Sequence, residues 1–169
     1  MPKRILIHDD EPHTLEYHAR ILRDHGYALE FIQDQKTAFK LMNGDIGIGK
    51  CDLLVLDMLM PVPDPKLAVE VEQGNRTGRW FLREYRKNCG DGVPVLLFSR
   101  LDLDELTVAG WQAYQSWRQQ VEGEPKQDEP VQGVMQKKLV ERFKVWVRAK
   151  NDTPPSDMPD VVKAIIGSP

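Results

Sequence analysis

The sequence predicts an α/β protein built on a doubly wound, five-stranded parallel sheet with helices on both faces. Segments typical of strands alternate with segments typical of helices along most of the chain. The clearest strand segments are apolar at nearly every position, which is typical of strands buried on both faces of a sheet. Parallel strands need crossover connections, and the intervening helices would supply them.

Four strand segments are rich in Ile, Leu and Val, and a fifth is weaker. The four cover residues 4–8, 27–32, 52–57 and 93–99, and the weaker one covers residues 131–137. Pro94 near the start of the fourth segment is compatible with a strand, because the first residue of a strand can lack a hydrogen-bond donor.

Apolar residues at helical spacing predict helices between these strands. The first helix follows Pro12 and ends at Gly26, and the others cover residues 37–42, 77–87, 102–121 and 156–167. Residues 139–149 are ambiguous. They slightly favour a helix, although Phe143, Val145 and Val147 alternate as in a strand.

The composition is that of an ordinary globular protein. Of 169 residues, 41% are hydrophobic and 29% are charged, and the net charge is −3, so no DNA partner is expected. Cys51 and Cys89 are too few for a disulfide framework or a thiolate metal site. The chain has no signal-peptide pattern and no long apolar stretch, so we expect a cytoplasmic protein without a membrane segment.

The ends of the predicted strands carry most of the reactive side chains. These are Asp9 and Asp10 after the first strand, Asp57 after the third, Ser99 after the fourth, and Lys137 or Lys138 after the fifth. Ligands of open parallel sheets bind at the carboxyl ends of the strands. We therefore expect these side chains to meet at one edge of the sheet.

Three carboxylates at one edge predict a metal site and a nucleophile. They would raise one another's pKa unless a cation lay among them, and hard oxygen ligands suit Mg²⁺. Asp57 could then attack phosphorus without a general base. A metal ion and a lysine could neutralise the transferring phosphoryl group, and a serine hydroxyl could donate a hydrogen bond to the product.

Four segments resemble the signature blocks of bacterial two-component response-regulator receiver domains, the CheY-like family. In chain order they are ILIHDDEP, LLVLDMLMP, VPVLLFS and VMQKK. The resemblance covers most of residues 3–100 and the strand near residue 134. It implies a flavodoxin-like sheet with the strand order 2-1-3-4-5.

The resemblance also implies a role for each candidate site residue. Asp57 would be the phosphoacceptor, Ser99 the switch hydroxyl and Lys137 the lysine that pairs with phosphate, with Lys138 as the alternative. Asp9 and Asp10 would form the acidic pair. Mg²⁺ would be bound at this cluster by Asp10, Asp57 and the backbone carbonyl of Leu59.

We therefore expect residues 1–169 to form a single receiver domain without an output domain, acting in phosphorelay signal transduction. It would be a phosphoprotein rather than an enzyme, with self-phosphorylation and autodephosphorylation at most. The implied partners are a histidine kinase or phosphotransfer protein and an unknown downstream protein, and a homodimer is left open. The alternative is an interaction scaffold that works independently of phosphorylation.

Two segments, at about residues 62–77 and 103–130, are longer than the receiver pattern. The first would be a surface loop, or a lid over the site. The second contains Trp111, Tyr114 and Trp117 at helical spacing, which we expect in the core, with a partner surface as the alternative.

Arg100 follows Ser99 where the family prefers a small residue. Its cationic side chain could pair with a phosphoryl group or could obstruct access to the site. Sequence reasoning leaves both interpretations open.

The sequence disfavours three other interpretations: a histidine metal site, a phosphate loop and a phosphatase. His13 and His18 are five residues apart and do not share a helical face, which disfavours a metal site. Residues 44–50 resemble a phosphate loop but precede a strand, so we interpret them as a helix-to-strand connection. A haloacid-dehalogenase-type phosphatase would need an acid two residues after Asp57, where Leu59 stands.

Overall fold

The structure, a computed structural model, describes residues 1–42, 51–61, 77–90 and 92–169. Five parallel strands form one sheet in the order β2-β1-β3-β4-β5, which confirms the predicted fold class. The strands are β1 (Arg4–His8), β2 (Ala28–Ile32), β3 (Leu53–Leu56), β4 (Val95–Ser99) and β5 (Val145–Ala149).

Six α-helices accompany the strands in the described part of the chain. They are α1 (Glu16–Asp24), α2 (Gln35–Met42), α3 (Thr77–Cys89), α4 (Leu103–Trp117), α5 (Gln132–Lys138) and α6 (Met158–Ile166). A 3₁₀ turn, Pro12–Leu15, leads into α1. Single π-helical turns, Arg118–Glu122 and Leu139–Phe143, extend α4 and α5.

The alternation of side chains along β3 divides the core into two layers. Leu54 and Leu56 point into the layer that contains α2, α3, α4 and α5. Leu53 and Val55 point into the opposite layer, which contains α1 and α6. Because both faces of this strand are covered, every one of its residues is buried, as the uniformly apolar pattern predicted.

The predicted strand at residues 131–137 is wrong, because this segment begins helix α5. Met135, Leu139 and Phe143 recur at helical spacing and are buried in the layer that contains α4. The fifth strand lies at Val145–Ala149, within the ambiguous stretch 139–149. The alternation of Val145 and Val147 was therefore the correct signal.

Helix α4 begins where the sequence predicts. The Asp102 side chain accepts a hydrogen bond from the Glu105 backbone N–H, and the Glu105 side chain accepts one from the Asp102 N–H. This reciprocal capping satisfies two backbone donors at the helix start. Trp111, Tyr114 and Trp117 are all buried, which confirms their assignment to the core. Tyr114 and Trp117 pack against Phe143, and Trp111 packs against Tyr114.

Two predicted features lie outside the described residues. The helix-to-strand connection at residues 44–50 is one, and most of the extended segment at 62–77 is the other. Within the described ranges, no helix is both long enough and apolar enough to cross a lipid bilayer.

Candidate functional site

Three carboxylates meet at the carboxyl edge of the sheet, as predicted. Asp9 and Asp10 follow β1, and Asp57 follows β3, which is its neighbour in the sheet. One carboxylate oxygen from each residue lies within 4.8 Å of the others. Asp9 and Asp57 are buried, and Asp10 is partly exposed. We call this set the acidic cluster.

Backbone hydrogen bonds fix the orientation of the two buried carboxylates. The Glu11 N–H donates to Asp9 Oδ1 at 2.8 Å, and the Leu59 N–H donates to Asp57 Oδ1 at 3.1 Å. The Asp57 N–H donates to the His8 carbonyl oxygen at 3.0 Å, which continues the β1–β3 pairing up to the site. The main chain therefore positions one oxygen of each carboxylate.

Lys150 supplies the positive charge of the site. Its Nζ lies 2.7 Å from Asp9 Oδ2 and 3.0 Å from Asp57 Oδ2, and its side chain is only 9% exposed. The residue follows β5 directly, so the carboxyl end of that strand brings the amino group to the cluster. A buried ammonium is tolerated here because two carboxylates compensate its charge.

The prediction that Lys137 closes the fifth strand beside Asp57 is wrong. Lys137 lies on the exposed side of α5, and its nearest acidic partner is Glu141, at 3.8 Å. The alternative, Lys138, lies over the Trp111 ring. Both belong to a helix, because the segment that carries them packs against α4.

Lys150 is the site residue that sequence reasoning missed. The signal for it was present, since Val145 and Val147 alternate as in a strand and a lysine follows the end of that pattern. Favouring a helix for residues 139–149 hid this lysine within a predicted helix rather than at the end of a strand.

Ser99 lies where the sequence predicts, as the last residue of β4 beside β3. The side chain is fully buried. Within the described part of the chain, its Oγ has no hydrogen-bond partner. A buried hydroxyl without a partner costs free energy, and such groups occur where a ligand can complete the hydrogen bond.

The acidic cluster perturbs the ionisation of its neighbours. Burial raises the pKa of the Asp10 carboxyl, and the nearby charges of Asp9, Asp57 and Glu11 raise it further. Burial lowers the pKa of His8 to about 4, although Asp9 opposes this effect. The His8 ring packs edge-on against Phe81 at a centroid distance of 4.8 Å, so it is a neutral core side chain.

His18, which was considered with His13 as a metal ligand, makes two contacts in the structure. His18 Nε2 contacts the Thr153 carbonyl oxygen at 3.0 Å, and its ring packs edge-on against Phe98. His18 thus joins α1 to the segment that follows Lys150.

The donor set of the acidic cluster fits a magnesium ion. Three carboxylates within reach of one another offer the hard oxygen ligands that Mg²⁺ prefers, and a cation among them would relieve the repulsion that raises the pKa of Asp10. The partial exposure of Asp10 leaves room for the water ligands that Mg²⁺ usually keeps.

Comparison with known proteins points to one family. No protein-family model matches the chain. The response regulator MprA of Mycolicibacterium vanbaalenii is 33% identical over 113 residues, which make up 67% of this chain and 41% of that protein. The chain therefore spans less than half the length of the curated relatives it matches.

Solved structures share the fold over nearly the whole chain. A CheY-like receiver domain protein from Methanospirillum hungatei JF-1 aligns with a TM-score of 0.57 and 18% identity, covering 98% of this chain and 94% of that one. Chemotaxis response regulator CheY4 of Vibrio cholerae gives 0.58 and 16%, covering 98% and 99%. The chain has the fold of CheY-like receiver domains.

Receiver domains generally bind Mg²⁺ at a cluster of aspartates, and the described residues of this chain contain such a cluster. Receiver domains as a family interact with histidine kinases or phosphotransfer proteins. They are not conventional enzymes.

Proposed function

We propose that Asp57 is a phosphoacceptor and that the chain is a stand-alone response-regulator receiver in two-component phosphorelay signalling. The strongest support is the position of Lys150, whose amino group bridges Asp9 and Asp57 at 2.7 and 3.0 Å. A buried lysine held between two carboxylates places a fixed positive charge beside the atom that would receive the phosphoryl group.

In this proposal each site residue has a distinct role in phosphoryl transfer. A carboxylate oxygen of Asp57 forms the new bond to phosphorus, while the bond from phosphorus to the donor's leaving group breaks and its electron pair departs with that group. The Lys150 ammonium neutralises charge on the phosphoryl oxygens. The buried Ser99 hydroxyl, which has no partner among the described residues, donates a hydrogen bond to one of them.

The proposed metal ligands are the side chains of Asp10 and Asp57 and the backbone carbonyl of Leu59, with Asp9 completing the acidic pair. Mg²⁺ bound there would supply positive charge against the equatorial phosphoryl oxygens. The chain contributes the fixed positions of these oxygens. The Leu59 N–H anchors Asp57 Oδ1, and Lys150 holds Asp57 Oδ2.

The wider assignment follows from the same site. We propose a cytoplasmic phosphoprotein that receives its phosphoryl group from a histidine kinase or phosphotransfer protein. It would be a single receiver domain that signals to a separate downstream protein. Self-phosphorylation and autodephosphorylation would be its only chemical activities.

The test is phosphorylation by acetyl phosphate in the presence of Mg²⁺, followed by intact-mass analysis. We expect wild-type protein to gain one phosphoryl group and Asp57→Asn protein to gain none. Asp104→Asn, which alters an exposed aspartate on α4, is the matched control and should behave as wild type. An unmodified wild-type protein, or a mass gain that survives in Asp57→Asn, would contradict the proposal.

The scaffold alternative makes a different prediction about binding. If the domain recruits a partner independently of phosphorylation, Asp57→Asn and wild-type protein bind that partner with equal affinity before and after acetyl phosphate treatment. Under the phosphoacceptor proposal, treatment changes the affinity of wild-type protein alone.

A further inference from the structure

Arg100 and Glu11 form an ion pair across the mouth of the site. Arg100 directly follows β4, Glu11 lies in the loop after β1, and their Nη2 and Oε2 atoms are 3.1 Å apart. Strand β3, which leads to Asp57, lies between β1 and β4 in the sheet. The ion pair therefore spans the end of the strand that presents the acceptor residue.

This ion pair can exchange partners at little cost. The side chains of Arg100 and Glu11 are 55% and 49% exposed, so water screens their attraction. Exposed ion pairs of this kind contribute little to stability. Lys150, in contrast, is buried and held by two carboxylates. Of these two cations, Arg100 is therefore the one that an incoming anion can recruit.

The charge balance of the mouth favours such recruitment. Among the described residues four carboxylates face two cations there, and the carboxylates are Asp9, Asp10, Glu11 and Asp57. With Mg²⁺ bound as proposed, these charges balance only when Arg100 is included. Phosphoryl donors are anions, so the negative charge that would remain without Arg100 would repel them. A guanidinium at the entrance offsets the repulsion, and its planar fork binds phosphoryl oxygens as readily as it binds a carboxylate.

We propose that Arg100 binds the phosphoryl group of incoming donors. Until a donor arrives, Glu11 holds the Arg100 guanidinium at the mouth of the site. The phosphoryl group carries more negative charge than a single carboxylate, so it displaces Glu11 from the guanidinium. This inference rests on the proposed phosphoacceptor function of Asp57. It assigns Arg100 to donor binding rather than to obstruction of the site.

The first test is the affinity for beryllofluoride, a phosphoryl mimic, measured by ¹⁹F NMR in the presence of Mg²⁺. Arg100→Ala should weaken binding about 3- to 10-fold, since the contact is charged but half-exposed. Arg100→Lys keeps the charge but loses the planar guanidinium, so its beryllofluoride affinity should lie between those of wild type and Arg100→Ala. Arg142→Ala removes an equal charge from an exposed position on the π-helical turn after α5 and should leave the affinity unchanged.

The second test separates partner exchange from general electrostatics. Glu11→Gln should strengthen beryllofluoride binding about twofold, because it frees Arg100. In the double variant Glu11→Gln/Arg100→Ala this gain should disappear. An equal gain with and without Arg100 would mean that the two residues act independently, which would overturn the holding role of Glu11.

Calorimetric titration with Mg²⁺ alone distinguishes donor binding from a structural role. Arg100→Ala removes a positive charge near the acidic cluster, so Mg²⁺ should bind with unchanged or higher affinity. A distorted site would bind both Mg²⁺ and beryllofluoride more weakly, and that result would overturn the proposal.

Two further outcomes are informative. Unchanged or tighter beryllofluoride binding by Arg100→Ala would overturn the inference about Arg100 while leaving Asp57 as the acceptor. Wild-type protein that binds no more beryllofluoride than Asp57→Asn protein would overturn the phosphoacceptor function and this inference together.

Discussion

Gly78 packs directly against the backbone of Asp57. A β-carbon on Gly78 would lie 2.2 Å from the Asp57 carbonyl oxygen and 2.5 Å from the Met58 Cα. The Gly78 N–H also donates to the Met58 carbonyl oxygen at 3.1 Å. The first turn of α3 therefore holds the loop after β3 in place, and only glycine permits this approach.

Gly78→Ala should displace the loop that carries Asp57. Because backbone atoms cannot yield as a flexible side chain would, we expect a loss of about 1–3 kcal/mol in the free energy of unfolding. Urea denaturation measures this loss, and beryllofluoride binding should weaken with it. Gly133→Ala is the control, since open space surrounds Gly133 in α5 and alanine favours a helix. Equal stability of the two variants would refute the close-packing argument.

Lys150→Ala should slow phosphorylation by acetyl phosphate about 100-fold, because the fixed charge beside Asp57 is lost. Lys137→Ala removes the same side chain from an exposed position on α5, where its pairing with Glu141 is weak. Its phosphorylation rate should equal that of wild type. A time course of intact-mass spectra measures both phosphorylation rates. Slow phosphorylation of Lys137→Ala together with a wild-type rate for Lys150→Ala would assign the phosphate-pairing role to Lys137 instead.

Arg86 is a buried arginine that joins two connections of the chain. Its guanidinium donates to the carbonyl oxygens of Gly90 and Val93, at 3.2 and 2.8 Å, and of Lys144, at 3.2 Å. These connections precede β4 and β5, whose ends carry Ser99 and Lys150. Arg86→Met keeps the apolar stem but leaves the carbonyls without this donor, so we expect a loss of about 3–5 kcal/mol.

Chemical denaturation of Arg86→Met measures this loss. The exposed Arg142→Ala should change the free energy of unfolding by less than about 0.5 kcal/mol. A similarly small effect at Arg86 would show that the two connections keep their conformation without the guanidinium.

His8 should make the protein less stable in mild acid. Its pKa is about 4 in the folded protein and 6.5 in an unfolded chain, because burial disfavours the charged ring. Between these values the unfolded chain binds a proton that the folded protein does not. Stability is therefore full above pH 6.5 and falls as the pH drops towards 4, by about 3 kcal/mol in all.

The measurement is urea denaturation at a series of pH values. His8→Gln lacks the titrating ring, so its free energy of unfolding should depend less steeply on pH between 4 and 6.5. Parallel pH profiles for the two proteins would show that the pKa of His8 is the same in the folded and unfolded states, which would contradict this expectation.

The central strands and the acidic cluster were predictable because their signals are local. Residues 52–57 are apolar up to a terminal aspartate, and a strand buried on both faces is the natural interpretation of such a run. Once the strands are parallel, topology brings Asp9, Asp10 and Asp57 to one edge. The confirmed sheet order and the observed cluster both follow from these few segments.

The last third of the chain was harder because its strand lies at the edge of the sheet. β5 is covered less completely than β3, since Trp146 is only partly buried and Arg148 is exposed, and Arg148 interrupts the apolar pattern of the strand. Helix α5 comes before β5 in the chain. Val131 and Val134, at the start of this helical segment, are exposed β-branched residues and made the sequence resemble a strand. Met135 and Leu139 are at helical spacing and are buried in the core, but in the sequence this signal competed with the strand-like valines.

The bond between Lys150 and Asp9 joins residues that are 141 positions apart. As the chain leaves the ribosome, the carboxylates therefore emerge long before the cation that neutralises them. Until β5 pairs with β4, Asp9 and Asp57 lack the compensating charge of Lys150. A chain that stops before residue 150 therefore contains both buried carboxylates but not the cation that they share in the folded protein.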